Sequence, residues 1–384
     1  MSIDTVISIS ILVFLTFVIW RLNRTSVTPK NKINFSQHKN HRKSVHHAKV
    51  SAQAKTLQSL DEPETAKPEY KLPLAFLDLK LIGSGKFSAK QQQMMTEISR
   101  SFRKPHPLLL PLAQGSFEPN ELFDLIKSDA EMTAKILNAV NSPLFSLRQP
   151  ITNINHAIIY LGITQVKNIA IQLAVQSNIA FEDKAQNMAF KQLWTASYLA
   201  SSFCLLLAKE LNEDNAAELS THCLLSYLGD LAILSYQSSI ASLYREDCFL
   251  FERVETFQET MDTNPAVIGM NLAQQWQLPK SIAVGISNSL LPLVNGVADQ
   301  ELSHEQVRGS ILCYLSCRLA DLVAFGNVNE ASKFGALNFE VLGKVEFYYL
   351  QSNLEQAGLD RINEIVNDMS FIRKLNKVIA QVSV

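Results

Sequence analysis

Apolar residues recur three and four apart almost without interruption from Ser88 onward. That spacing lays one apolar stripe along an α-helix. Pro119 after Glu118 marks a helix start, and Leu122, Leu125 and Ile126 form its inner stripe. Ser128 and Glu131 stand at capping-box spacing and predict the next helix, with Met132, Ile136 and Val140 inward and a stop at Asn141-Ser142-Pro143. Thr152 or Asn153 is placed to cap another, carrying Ala157, Ile158 and Leu161, with Gly162 at its C′ position. Further helices are predicted over 164–178, 189–210, 216–228 and 265–276, and their short connections predict a compact all-α bundle. The segment LDLKLIGSG, residues 77–85, alternates instead and predicts a strand or an extended arm lying on the bundle. Its Gly-Ser-Gly lacks the spacing of a phosphate loop.

Towards the C-terminus, Gly358 separates a helix around 340–356 from a last one beginning near Leu359-Asp360. Ile362, Ile365, Met369, Ile372 and Ile379 of that last helix share a face, with Asn376 in the seam. The face is expected to pack back on the bundle. The alternative is a short self-association helix, hence a homo-oligomer, with Asn376 as its polar registry residue.

The first residues follow neither pattern. Thr5 to Trp20 is an unbroken run without charge, roughly 24 Å as a helix against about 30 Å of hydrocarbon. Arg21 and Trp20 supply a snorkelling cation and an interfacial aromatic at its end. A secretion signal needs a basic segment before the run and a small-residue cleavage site after it. Asp4 and Arg-Leu-Asn-Arg stand there instead, so the run reads as an uncleaved single-pass anchor. Positive charge follows it and none precedes it, which by the positive-inside rule sends the remaining chain to the cytoplasm. The expected location is the inner (cytoplasmic) membrane.

Charge sharpens that division. The net charge of −1 conceals nine Lys/Arg and no Asp or Glu over 21–60, leaving 26 basic and 35 acidic residues from 61 onward, a net of −9. Residues 21–70 carry almost no aliphatic periodicity, so they predict a disordered linker. Its basic residues over 21–55 fit an anionic membrane surface, at about 1 kcal/mol for each one held near the headgroups. Nucleic acid is not expected as a partner, since the segment lacks interleaved aromatics. His38, His41, His46 and His47 belong to this polar tract, with no Cys or carboxylate to complete a ligand set.

Candidate chemistry elsewhere is sparse. Outside the linker the histidines are His106, His156, His222 and His304, in different elements and at no metal-ligand spacing. The five cysteines, Cys204, Cys223, Cys248, Cys313 and Cys317, are odd in number, as suits a reducing compartment. Cys313 and Cys317 lie one helical turn apart, but no His or third Cys is near them in sequence, so they read as small core residues. No Ser-His-Asp or Cys-His arrangement is visible.

One stretch is diagnostic: IKSDAEMTAKILNAVNSPLFSLRQPITNINHAIIYLGITQVKNIAI, residues 126–171. With Asp129, Asn141-Ser142, Phe145, Pro150-Ile151, Ile154 and Leu161-Gly162 in order, it resembles the HDOD domain. The likeness continues loosely through LWTASYLASSF, LLSYLGDLAIL, NPAVIGMNLAQQWQLP and CRLADLVA, over about 104–325. The resemblance implies an all-α output or signalling module related to the HD phosphohydrolases. It also implies that the metal-ligand positions of those hydrolases are replaced, by Ala196, Ser226, Tyr227, Asn264 and Asn288-Ser289, with Asp321 the one carboxylate left.

The expected layout is therefore an anchor over 1–22, a basic His-rich linker over 23–87, an HDOD-like helical domain over 88–300 and a helical extension over 301–384. The expected function is non-enzymatic, a membrane-anchored signalling or scaffold protein. No catalytic, cofactor-binding or metal residue is assigned. The resemblance implies partners among histidine kinases or cyclic-dinucleotide enzymes. Behind it stand a nucleotide sensor, whose mark would be a basic cleft among the helices of 189–300, and a residual metal phosphohydrolase built on Asp321.

Overall fold

A computed structural model describes residues 70–382, except 84, 86, 103–104, 143–146, 148, 177–180, 182, 246–247, 249, 296, 298–300, 327, 336 and 338–341. The expected anchor, the linker with its four histidines, and Phe145 lie outside the described residues. Every regular element among the described residues is helical.

The alternating segment becomes an arm rather than a strand. A single turn, α1 (Leu74–Leu77), leads into extended chain without a ladder partner. Gln258 holds that chain at both ends of its amide, accepting from Ile82 N–H at 2.7 Å and donating to Lys80 O at 2.8 Å. Phe76 meanwhile packs into a small apolar cluster with Phe251, Leu293 and Tyr314. The alternation thus reflects one face laid on the bundle.

Next come α2 (Ala89–Ser101), closed by a Ser88–Gln91 capping box, and α3 (Leu109–Gln114). Then follow α4 (Pro119–Lys127), α5 (Ala130–Val140), α6 (Ile154–Leu161) and α7 (Ile163–Gln176). The capping box expected at Ser128 does not form. Ser128 keeps helical angles at the end of α4, and Asp129 takes the extended conformation an N-cap needs, accepting from Met132 N–H at 2.8 Å. Asn153 caps α6, and Gly162 ends it at φ +88°. The diagnostic motif is a clamp. Asn141 accepts from Ile151 N–H and donates to Ile151 O, both at 2.7 Å, pinning Pro150-Ile151 to the end of α5.

The second half is built on α8 (Lys184–Glu210), α9 (Ala216–Leu225), α10 (Leu228–Tyr236), α11 (Leu250–Met261), α12 (Pro265–Gln275) and α13 (Lys280–Ser287). The helix expected over 216–228 is two, because the chain turns at Ser226-Tyr227. Gly229 sits in the crossing of α10 and α12, where a Cβ would lie 1.9 Å from Pro265 O.

The longest helix pairing joins α8 to α14 (His304–Ala324). After it come α15 (Leu350–Gln356), α16 (Ile362–Asn367) and α17 (Met369–Val382). In α17, Phe371, Leu375 and Ile379 are buried in the same apolar core as Met95, Leu199 and Ile268. Asn376 is used within the chain, accepting from Ala331 N–H at 2.7 Å. Tyr198 of α8 donates to Gln381 at 3.0 Å. Among the described residues no single helix is long and apolar enough to cross a membrane.

Candidate functional site: a closed ionic pocket and an open cleft

Two features flank α14. The first is a buried ionic network between α10, α11 and α14. Asp321 is its centre, with Tyr227 Oη 2.8 Å from Oδ1, and Arg318 and Arg253 at 3.1 and 3.4 Å from Oδ2. Its side chain is 12% exposed, and those of Arg253 and Arg318 are 5% and 8% exposed. Burial works against both guanidinium charges, but the Asp321 carboxylate together with the other ionisable neighbours outweighs it, so both are raised. Each cation also lies over aromatic faces, Arg253 on Tyr244 and Phe325 and Arg318 on Tyr314. Asp230 adjoins the network, accepting from Tyr244 Oη at 2.9 Å; burial pushes its carboxyl up to about 6.

The positions singled out by resemblance converge in part on this network. Ser226, Tyr227 and Ser289 line one cavity of about 20 Å³ with Asp230, Arg253 and Arg318. Tyr227 links it to Asp321. Asn264 serves as N-cap of α12 and donates to Ile82 O at 2.8 Å, tying the arm to the bundle. Asn288 lends its carbonyl to Ser310. Ala196 is fully buried in α8 and lines neither this cavity nor the cleft.

The second feature is an open cleft of about 300 Å³ between α9, α13 and α14. Glu218, His222, Lys280, Asn288 and Glu305 bring polar groups to it, and Leu219 and Val284 supply apolar wall. His222 Nε2 lies 3.5 Å from Glu218, too long for a good hydrogen bond but close enough to attract it. With His222 and Ser281 beside it, the Glu218 carboxyl is held down at about 2. Gly285 makes room for the imidazole, since a Cβ there would stand 2.7 Å from His222 Nδ1. One lysine and one imidazole face two carboxylates, so the cleft is not the basic one a nucleotide sensor would need.

His106 reaches Asp129 at 3.2 Å beside the start of α5, and the backbone N–H of His156 is capped by Asn153. Among the described residues, the group of three or more ligand-type side chains that gathers closely enough for a metal is Cys223, Cys313 and Cys317. Sequence reasoning paired only the last two. Helix α9 delivers the third thiol from 90 residues away, a contact no local spacing signals.

With helices and site described, the chain can be placed among known proteins. Residues 108–290 match the HDOD domain family. A curated "Uncharacterized protein" of Treponema pallidum (strain Nichols) is 24% identical over 241 residues, 57% of this chain. The chain spans 44% of the length of that relative. Two solved structures share the fold at 17% identity and TM-score 0.50. One is a provisionally named phosphohydrolase from Shewanella amazonensis SB2B, covering 78% of this chain and 100% of that one. The other is a provisionally named signal transduction protein from Marinobacter aquaeolei VT8, covering 80% and 67%.

Proposed function

We propose that this chain is a membrane-anchored signalling or scaffold protein whose HDOD domain works through protein contacts and not by catalysis. The observation that carries the reading is the state of Asp321. An HD-type hydrolase needs imidazoles and carboxylates converging on a metal that activates water. At the positions that the family resemblance implies for those ligands stand an alanine, two serines, a tyrosine and two asparagines, and Asp321 already holds two guanidinium groups and a phenol. These residues do not fit such a metal centre. The anchor reading rests on Thr5–Trp20 and the basic residues after it. Partners of the histidine kinase or cyclic-dinucleotide enzyme classes follow from the family resemblance alone.

Proximity labelling in living cells, comparing the full chain with one lacking residues 1–60, tests the reading. The expected result is a set of membrane signalling neighbours that is lost on deletion. Metal-dependent phosphodiesterase activity in the purified full chain, abolished by Asp321→Asn in a variant that remains folded, would overturn it. The cleft of about 300 Å³ supports a second reading, a sensor that binds a small ligand without cleaving it. Its mixed charge suits a polar or zwitterionic molecule better than a polyphosphate. Calorimetry against both kinds of ligand separates the two.

A further inference from the structure

Four of the five cysteines of this chain meet in one place, although they come from three helices. Cys223 of α9 and Cys313 and Cys317 of α14 bring their sulfurs within 4.8 Å of one another, and all three are buried. Cys204 of α8, fully buried, adjoins Cys223. Cys313 and Cys317 are one turn apart on one helix, so both thiols face α9 together. Ser226 adds a hydroxyl 3.3 Å from Cys313 Sγ. Three sulfurs bound to one ion at about 2.3 Å would lie about 4 Å apart, so little more than side-chain rotation separates this arrangement from a ligand set.

We propose that Cys223, Cys313 and Cys317 form a binding site for a soft thiophilic cation, with a three-sulfur donor set that favours Cu(I) over Zn(II). Thiolate ligands select soft cations. A structural zinc takes four ligands in a tetrahedron, whereas Cu(I) accepts a trigonal set. Binding deprotonates the thiols and releases those protons to solvent. The guanidinium of Arg318 stands close enough to act on Cys317 and offsets part of the negative charge the site then holds. Access comes from two sides: Cys313 lines the open cleft, and Cys317 lines the small cavity of the ionic network. The site adjoins the positions singled out by resemblance, Ser226 and Tyr227 among them, but its donors are sulfur where those positions offer hydroxyl, amide and carboxylate oxygen.

The test uses the full chain, kept reduced, and titrates it with Cu(I) against a competing chelator, with Zn(II) in parallel. The expected result is about one equivalent of either cation retained, with the tighter competition by Cu(I). Cys223→Ser and Cys317→Ser should weaken retention at least about tenfold, and Cys248→Ser, outside the cluster, should leave it unchanged. A buried serine can unfold this core, so thermal melts accompany each variant. A second measurement needs no variant: in denaturant near the unfolding midpoint, where the buried thiols become reachable, bound metal should shield three thiols of the wild-type chain from an alkylating reagent, located by mass spectrometry. Failure of the folded wild-type chain to retain either cation would overturn the proposal. So would equal alkylation of these thiols with and without metal, or undiminished binding by a folded Cys223→Ser variant.

Discussion

The closed network and the open cleft lie against successive stretches of one helix, α14, and differ in how their side chains occupy space. Toward α10 and α11, α14 presents Arg318 and Asp321, which pair with each other and with Arg253 and Tyr227 and leave cavities of only about 20 and 40 Å³. Toward α9 and α13 it presents Gly309, Ser310 and Cys313, which leave about 300 Å³ unfilled. The first arrangement puts charge where it joins helices and leaves room for little more than a water. The second leaves polar groups facing a space. Strong buried electrostatics therefore marks a structural joint in this molecule, and the place able to admit a ligand is the one lined by small residues.

The largest effect should come from breaking the joint. Asp321→Ala would leave two guanidinium groups buried without their counter-charge and cost about 3–5 kcal/mol, read as a lowered denaturation midpoint. Adding Arg253→Met to that variant should return part of the loss. A cost under about 1 kcal/mol for Asp321→Ala would mean that the network is hydrated rather than sealed.

The glycines sharpen the same contrast. Beside the network, a Cβ on Gly229 meets the Pro265 backbone, which cannot swing aside, so Gly229→Ala should cost about 1–3 kcal/mol. Beside the cleft, a Cβ on Gly309 meets only Leu219 Cδ2 at 2.9 Å, the end of a flexible side chain. There the gain in helix propensity opposes the shift of the leucine, and Gly309→Ala should change stability by no more than about 1 kcal/mol. Equal costs in thermal melts would erase the distinction between the two sides.

Asp230 gives the network a pH signature. Its folded carboxyl titrates near 6 against an ordinary 3.8, so between about pH 4 and 6 the folded chain holds a proton that the unfolded chain has released. Raising pH across that window therefore removes stability, by at most about 3 kcal/mol. Asp230→Asn should flatten this slope while its amide oxygen still accepts from Tyr244. An unchanged slope in denaturant midpoints from pH 4 to 6 would assign the dependence to another group.

Much of the helical layout was legible because the 3.6-residue period is a local property of the chain. Thr152 or Asn153 stood out as a cap and Gly162 as a stop for the same reason, and the backbone chooses Asn153. The cap at Asp129 was misplaced by one residue, since Ser128 and Asp129 are both good caps and only the backbone angles choose between them. The arm over 77–83 alternates as a strand does, yet its partner is the side chain of Gln258. The candidate sites were far less visible. Arg253 meets Asp321 across 68 residues, and Cys223 meets Cys313 across 90. Neither pairing leaves a mark in local spacing, because each is made by helix packing.

The smallest expected effect lies in the cleft and has the opposite sign to that of Asp230. His222, with Ser281, holds the Glu218 carboxyl near 2, below its ordinary 4.5. Between those values the unfolded chain takes up a proton that the folded chain refuses, so stability from this group is present above about 4.5 and is lost as pH falls toward 2. The Glu218 side chain is 46% exposed, and solvent screening keeps the contribution small. Glu218→Gln should therefore narrow the gap between denaturation midpoints measured at pH 5 and pH 3, and added salt should narrow it in the wild-type chain as well. The carboxylate of the closed pocket would then lose stability as pH rises and that of the open cleft as pH falls. A Glu218→Gln gap as wide as that of the wild-type chain would show that the cleft's ion pair does not feel the fold.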